Sequence, residues 1–434
     1  MKERIARSFD IFANQLVQFS QERGKISWWI FLFILALTLV SITPFPGNSQ
    51  PAREIPFEQC QLNQAREIRG VWLTNVDSDV LFEPEKTSEA IALLAKANFN
   101  TLYPTVWNWG YTLYPSPISA KFTGRELDPT EGLQGRDVLA EIVELGHGKG
   151  MAVIPWFEFG FMAPADSELA QRHPEWLTAR QDGSTIWWEG KVHQRVWLNP
   201  LRPDVQKFMT DLMVEIVSNY DIDGIQLDDH FGYPSELGYD DFTVALYQEE
   251  HDGALPPADP QDKQWVQWRA DKITDYVETL FQEIKRHNPH AIVSVSPNPQ
   301  HFSLNSFLLD WYRWERKGLI EELIVQVYRD GNDSFIRELE QPEIQAAREH
   351  IPVAIGILSG LKGRNVLWHK IARQVKIARE REYAGVSFFF YESLWNLTTE
   401  SHTRRQAALK NLFHHHAQRP QVSETAECEF VSQH

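Results

Sequence analysis

Cysteine and positive charge are both scarce in this chain. Its 434 residues include only two cysteines, Cys60 and Cys428, and 42 Lys and Arg against 59 Asp and Glu, for a net charge of −17. Two cysteines this far apart do not form a metal site on their own. Outside the cytoplasm they either pair and tie the ends of the main domain together or remain free thiols. The acidic balance argues against binding to nucleic acid, which needs a basic surface.

Several motifs of other enzyme classes are missing. We find no glycine-rich phosphate loop, no Gly-x-Ser-x-Gly elbow and no His-Glu-x-x-His zinc helix. Asp228, Asp229 and His230 offer three possible metal ligands, but neighbouring residues of a strand point in opposite directions. We therefore predict no metal site and no cofactor.

Only one apolar run is long enough to suggest a membrane span. It covers residues 26–42, carries no charge, and follows five basic residues: Lys2, Arg4, Arg7, Arg23 and Lys25. This pattern predicts an uncleaved transmembrane anchor at 26–43 with a cytoplasmic segment at 1–25, and a cleaved signal sequence is the alternative. A proline-rich linker follows at 44–65. The remainder of the chain is then expected outside the cytoplasm, in the periplasm or cell envelope.

From residue 66 onward, apolar runs alternate with helical patterns. Eight strands, each followed by a helix, predict an α/β protein with a (β/α)8 barrel at 66–416 and a flexible tail at 417–434. The longest insertions are expected after strands 2, 3 and 4, on the side where such barrels carry active sites. The predicted strands are 68–74, 100–107, 151–159, 224–229, 291–296, 323–328, 352–358 and 384–391.

The stretch Asp223–His230 is the most informative in the chain. Ile225 and Leu227 share one face of this strand, and Gln226, Asp228 and His230 share the other. The same alternation can be applied to most of the other strands, and it places polar and aromatic side chains inside the barrel. The predicted site comprises Trp72, Tyr103, Trp107, Trp156, Glu158, Gln226, Asp228, His230, Asn298, Gln326 and Tyr328, with Glu392 at the end of strand 8.

Carboxyl groups beside flat aromatic walls are typical of saccharide sites. Hydrolysis of a glycosidic bond uses one carboxyl group as acid and another as nucleophile or base. We assign Asp228 as nucleophile or as the base that orients an acetamido group of the substrate, and Glu158 or Asp229 as the acid. If the substrate carries N-acetyl groups, substrate-assisted cleavage is the alternative mechanism. Asp229 points outward in a regular strand, so bracing of the loop is its alternative role. Trp72, Trp107 and Trp156 are expected to hold sugar rings, or instead to plug the barrel.

Five segments of the chain match a known family: residues 67–74, 98–104, 223–234, 294–297 and 326–328. They resemble the glycosyl hydrolase-like 10 family, which comprises barrel proteins of bacterial envelopes. The resemblance implies a glycosidase-like barrel, an envelope location and glycan substrates, with peptidoglycan strands foremost. The position that matches the paired strand-4 acids of the family is Asp228-Asp229.

Strand 4 also resembles the chitinase pattern Asp-Gly-x-Asp-x-Asp-x-Glu. Gln226 replaces the second Asp of that pattern and His230 replaces its acidic Glu. Tyr328 matches the strand-6 tyrosine that supports an acetamido group. This departure implies that a different residue supplies the acid.

Three functional hypotheses follow from these residues. The first is an anchored glycoside hydrolase acting on an envelope polysaccharide. The second is a glycan-binding or scaffolding protein on a degenerate barrel, without turnover. The third is a hydrolase of another class, such as a metal-dependent deacetylase. The expected partners are a glycan substrate and, through the N-terminal helix, the membrane; the sequence gives no indication of protein partners.

Overall fold

The computed structural model describes residues 66–421. Nine parallel strands form one sheet. Their bounds are β1 Ile68–Leu73, β2 Thr101–Pro104, β5 Ala152–Val153, β6 Trp156–Phe157, β10 Gly224–Asp228, β11 Ile292–Ser296, β12 Glu322–Gln326, β13 Val353–Leu358 and β16 Gly385–Phe389. Their order in the sheet is β5-β2-β1-β16-β13-β12-β11-β10-β6.

The two end strands of this sheet, β5 and β6, are segments of one extended stretch. Only Ile154 and Pro155 separate them, and proline cannot donate a backbone hydrogen bond. β5 pairs with β2 while β6 pairs with β10, and Thr105 beyond β2 also bridges to Trp156. The sheet therefore curls until its ends meet, and the eight predicted strands form a barrel.

Helices connect and cover the strands. Helix α5, for example, buries Val205, Phe208, Met209, Leu212, Met213 and Ile216, the three-and-four spacing of an amphipathic helix. The helices are α1 Pro84–Lys96, α2 Pro117–Thr123, α3 Val138–His147, α4 Glu168–Arg172, α5 Pro203–Asn219, α6 Asp241–Glu250, α7 Lys263–His287, α8 Gln300–Phe307, α9 Trp311–Arg316, α10 Asn332–Leu339, α11 Pro342–Ala347, α12 Trp368–Glu380, α13 Tyr391–Trp395 and α14 His402–Leu412.

The long insertions after the second, third and fourth barrel strands are where the sequence predicts them. The first holds the hairpin of β3 Trp107–Asn108 and β4 Tyr111–Thr112, together with α2. The second holds a three-stranded antiparallel sheet of β7 Met162–Pro164, β8 Trp187–Glu189 and β9 His193–Trp197, and the third holds α6. A further hairpin, β14 Gly360–Leu361 with β15 Arg364–Asn365, follows β13.

The segment after α14 crosses the N-terminal end of the barrel. The Asn100 side chain donates to the carbonyl of Ala417 (3.0 Å), and the amide of Glu67 donates to the carbonyl of Gln418 (2.9 Å). Arg419 reaches inside the barrel, where it donates to Thr101 (2.6 Å) and pairs with Glu322. These contacts extend the barrel past the predicted boundary at residue 416. We call this end the floor, and the opposite end, where the strands finish, the mouth.

The predicted anchor, the linker and both cysteines lie outside the described residues. Within 66–421, no helix combines the length and the apolar character that crossing a membrane would require.

Candidate active site

The acidic cluster forms where β10 ends at the mouth. Extended backbone stops at Asp228, and residues 229–231 form a short 3-10 turn. Asp229 is buried, accepts a hydrogen bond from the Asn298 amide, and lies 3.2 Å from Nδ1 of His230. The prediction that Asp229 points outward is therefore wrong, because strict alternation holds only while the backbone remains extended.

Asp228 is surrounded by hydrogen-bond donors from three neighbouring strands. Its Oδ1 accepts from Trp156 Nε1 (3.2 Å), Ser296 Oγ (3.1 Å) and Gln326 Nε2 (2.9 Å). Its Oδ2 lies 2.8 Å from Nδ1 of His230. Donors on both oxygens favour the ionised form of this carboxyl group.

Glu158 lies just beyond β6, and most of the hydrogen bonds that it accepts go to one of its two carboxylate oxygens. Oε2 accepts from Thr74 Oγ1 (2.8 Å), Thr105 Oγ1 (2.9 Å) and Asn108 Nδ2 (2.8 Å). Oε1 has only a longer contact of 3.1 Å with the same Thr74 hydroxyl. Oε1 is consequently the oxygen that can carry a proton without displacing a strong donor.

His230 connects the two acids. Its Nδ1 lies 2.9 Å from the backbone carbonyl of Glu158, in addition to its contacts with Asp228 and Asp229. A carbonyl oxygen only accepts hydrogen bonds, so Nδ1 carries a proton. The imidazole therefore acts as a donor inside the cluster.

Burial raises the pKa of all three carboxyl groups. It raises the pKa of Glu158 to about 7, against the hydrogen bonds from Thr74 and Thr105. It also raises the pKa of Asp228 to about 7, with a further contribution from the charge of Glu158. The pKa of Asp229 is raised well above its usual range by burial and then by the charge of Asp228. Among residues 66–421, no Lys or Arg forms an ion pair with any of the three.

The cluster also has the composition of a cation site. One ligand-type atom from each of Asp228, Asp229 and His230 lies within 4.8 Å of the others. The Nδ1 proton of His230 points into this group, whereas a metal ligand must be unprotonated. As arranged, the three residues do not fit a metal ion.

The predicted aromatic platforms are buried. Trp72 donates to Gln226 Oε1 (2.7 Å) and packs between Tyr103 and Trp156 inside the barrel. Trp107 donates to the carbonyl of Gly160 (2.9 Å) and lies edge-on against Phe208 of α5. The exposed fraction of Trp72, Trp107 and Trp156 is at most 2%, which is the environment expected for plugging of the barrel.

The other predicted residues are distributed along the barrel. Tyr328 is half-buried at the mouth and stacks on Phe389, and Gln326 and Asn298 contact the acids directly. Tyr103 points to the floor, where its hydroxyl donates to Glu322 (2.9 Å). Glu392 lies in α13 and accepts from Ser78 and Asn396, away from the acidic cluster.

Sequence reasoning missed Thr74 and Asn108 as contacts of Glu158. Thr74 follows the last residue of β1, and Asn108 lies in β3, beyond the end of the predicted second strand. Asn108 also donates to Asn75 (2.8 Å). All three are polar residues at a strand end on the mouth side, and that position was the available signal.

The chain is similar in sequence to a protein family and to proteins named as glycosyl hydrolases. The model of the family described as glycosyl hydrolase-like 10 matches residues 67–376. Glycosyl hydrolase YngK of Bacillus subtilis is 26% identical over 293 residues, which are 62% of this chain and 50% of YngK. Glycosyl hydrolase DigH of Escherichia coli K12 is 25% identical over 343 residues, which are 68% of this chain and 74% of DigH. The chain thus spans half the length of YngK.

The fold is also similar to that of a solved glycosidase. The glycoside hydrolase domain of PgaB (BpsB) from Bordetella bronchiseptica matches with a TM-score of 0.55 and 11% identity. The match covers 78% of this chain and 100% of that domain. At this identity the likeness concerns the fold alone.

Proposed function

Since the chain belongs to the glycosyl hydrolase-like 10 family, we propose that it hydrolyses glycosidic bonds with Glu158 as general acid and Asp228 as nucleophile or base. The observation that carries this proposal is the pair of buried carboxyl groups at the mouth, each with its pKa raised to about 7. A pKa near neutrality keeps an acid partly protonated where the enzyme works.

The donor pattern decides which carboxyl group has which role. Asp228 has donors on both oxygens and is the better anion. Glu158 has three donors on Oε2 and a single long contact on Oε1, so its proton resides on Oε1. Glu158 then protonates the leaving oxygen while Asp228 attacks the anomeric carbon or activates water.

Strand geometry favours the retaining route. β6 and β10 are neighbours in register, and adjacent strands lie ~4.8 Å apart. Side chains from equivalent positions on such strands suit the ~5–5.5 Å spacing of a retaining pair. Proton NMR of the first product formed tests this step, because retention and inversion give opposite anomers.

Asp229 and His230 assist this pair. The pKa of Asp229 is raised well above its usual range, which favours its protonated form and a hydrogen bond donated to Asp228. The Nδ1 proton of His230 stabilises the anionic form of Asp228. His230 therefore occupies the place of the chitinase-like acid without acting as the acid.

The proposed substrate is an envelope polysaccharide, with glycan strands of peptidoglycan as the first candidate. Support comes from the names of the curated relatives, which are glycosyl hydrolases, and from the apolar run at 26–42, which we propose anchors the barrel outside the cytoplasm. Protease accessibility of the barrel in intact spheroplasts tests the location.

Digestion of purified peptidoglycan and of chitin oligomers by the full-length protein in detergent tests the activity. We expect new reducing ends from peptidoglycan, and their loss in Asp228→Asn and Glu158→Gln. Asp221→Asn is the matched control, because the Asp221 side chain is 96% exposed. Glycan binding without any new reducing ends would instead support a non-catalytic barrel, and activity abolished by a chelator would support the metal-dependent hydrolase.

A further inference from the structure

The hairpin β8–β9 presents two adjacent tryptophans on opposite faces. Directly opposed residues of an antiparallel ladder share a face, and the ladder pairs Trp187 with Arg195 and Trp188 with Gln194. Trp187 therefore lies on the face of Arg195 and Trp197. Trp188 lies on the other face, with Gln194 and Val196.

The face of Trp187 adjoins the acidic cluster. The Trp197 ring lies 5.7 Å from the His230 ring, and the Trp187 ring lies 6.4 Å from Trp197. Both tryptophans also contact Phe307 of α8, at 5.9 and 6.5 Å. A continuous row of rings thus extends from His230 to the hairpin.

The two tryptophans of this row differ in exposure. Trp197 is fully buried, whereas Trp187 is only partly buried and meets both Trp197 and Phe307 edge to face. Trp187 is therefore the tryptophan of the row that solvent, and so a ligand, can reach.

The arginine and the glutamate on this face are paired with each other. Arg195 and Glu189 form a buried ion pair of 2.7 Å, and the Arg195 guanidinium lies 5.2 Å from the centre of the Phe159 ring. An aromatic surface whose arginine is neutralised in this way suits the apolar face of an uncharged sugar ring.

We propose that Trp187 is a platform for a sugar unit beyond the cleaved bond, so that the site binds an extended glycan chain. The platform is two ring-to-ring steps, of 5.7 and 6.4 Å, from His230. This inference rests on the proposed function, because it takes the acidic cluster as the position of the cleaved bond.

Glycan fragments of increasing length test the platform with the full-length protein. Wild-type kcat/KM should rise with length until the chain reaches Trp187. Trp187→Ala should lower kcat/KM on long strands by roughly 3- to 10-fold and leave the shortest cleavable fragment unaffected. Trp188→Ala is the matched control and should change neither, although Trp188 is 49% exposed. Trp187→Tyr keeps a ring and should retain most of the long-chain rate.

Two outcomes would overturn the platform: equal losses on short and long fragments in Trp187→Ala, or no length dependence in the wild-type protein. The absence of length dependence in the wild-type protein would overturn the platform even if the Trp187→Ala variant does not fold. Native electrophoresis in gels that contain glycan polymer measures glycan binding separately from hydrolysis, because a protein that binds the polymer migrates more slowly. Retention that depends on Trp187 without cleavage of any glycan would refute the proposed activity and leave the platform in place.

Discussion

The floor and the mouth of the barrel both bury carboxyl groups, but of these two ends only the floor pairs them with arginine. At the floor, Glu322 pairs with Arg419 and accepts from Tyr103 and Ser294. Nearby, Glu67 lies between Arg69 and Arg379. Burial alone would raise the pKa of Glu67, yet the hydrogen bonds and charges of the two arginines outweigh it and lower that pKa.

The mouth has the opposite arrangement. Glu158, Asp228 and Asp229 are as deeply buried as Glu322, and their partners are hydroxyls, amides, an indole and one imidazole. Their pKa values are raised because burial outweighs the hydrogen bonds from these groups and, at Glu158 and Asp229, the attraction of His230. In this barrel, therefore, pairing with an arginine separates a structural carboxyl group from a reactive one.

The two ends are connected by a column of neutral groups. Trp72 donates to Gln226, Gln226 donates to Ser294 (3.0 Å), and Ser294 donates to Glu322 (2.9 Å). The column satisfies the polar groups inside the barrel without placing an ion between floor and mouth. Substitutions at one end should therefore have separable effects on activity and on stability.

The largest effect is expected from removing the acids of the mouth. Glu158→Gln and Asp228→Asn should each lower kcat by ~10²–10⁴-fold. The midpoint of thermal unfolding should stay the same or rise, since each change removes a buried ionisable group that has no arginine or lysine partner. Initial rates and calorimetry on the same preparations check both parts. A lower melting temperature with full activity would place these residues with the structural carboxyl groups.

Breaking the floor pair should have the reverse effect. Arg419→Met leaves Glu322 buried without its cation, so the free energy of unfolding should fall by about 3 kcal/mol. Activity per folded molecule should persist below the new melting temperature. Urea unfolding measures the loss, and combination with Glu322→Gln should recover part of it. Additive losses in the double variant would show that the two residues do not act as a pair.

The two ends should also respond to pH with opposite signs. The pKa of Glu158 is raised from its usual 4.5 to about 7, so the folded protein holds a proton that the unfolded chain releases. Folding is then progressively disfavoured as the pH rises from about 4.5 to about 7. Glu67 has a lowered pKa, and its stabilising contribution is present above the unfolded pKa and lost as the pH falls through the folded one.

The substitution Glu158→Gln isolates the contribution of Glu158 to the pH dependence of stability. Because Gln resembles protonated Glu at every pH, Glu158→Gln and the wild type should have similar stability near pH 4. The variant should gain up to about 3 kcal/mol by pH 8. Urea unfolding across this range checks the divergence. Parallel stability curves would mean that Glu158 titrates normally.

Much of the fold could be predicted from the sequence, because apolar periodicity directly reflects the two sides of a barrel wall. The sequence pattern of residues 305–317 predicts a single helix, but the structure divides this stretch between two helices, since Leu308 adopts a left-handed backbone and Asp310 caps α9. The pattern of residues 334–350 likewise predicts one helix, and the structure divides it where Pro342 begins α11.

The candidate site was predictable only where the backbone is regular. Alternation placed Gln226 and Asp228 inside the barrel, and it failed at Asp229, where the turn begins. No local pattern places Arg419 in the floor or Trp187 beside Trp197 and Phe307. Both positions depend on tertiary packing of segments that are distant in sequence.

The smallest effects are expected from two substitutions in one stretch of chain, one at the mouth and one at the floor. Thr105 donates to Glu158 at the mouth, and Tyr103, two residues earlier, donates to Glu322 at the floor. Thr105→Val removes a donor that favours ionised Glu158, so the pKa should rise and the alkaline limb of the pH–rate profile should move up by about 0.5–1 unit. Tyr103→Phe should cost about 1 kcal/mol of unfolding free energy and leave that limb in place. A shift of the limb in Tyr103→Phe would mean that the neutral column transmits the charge of the floor to the acids.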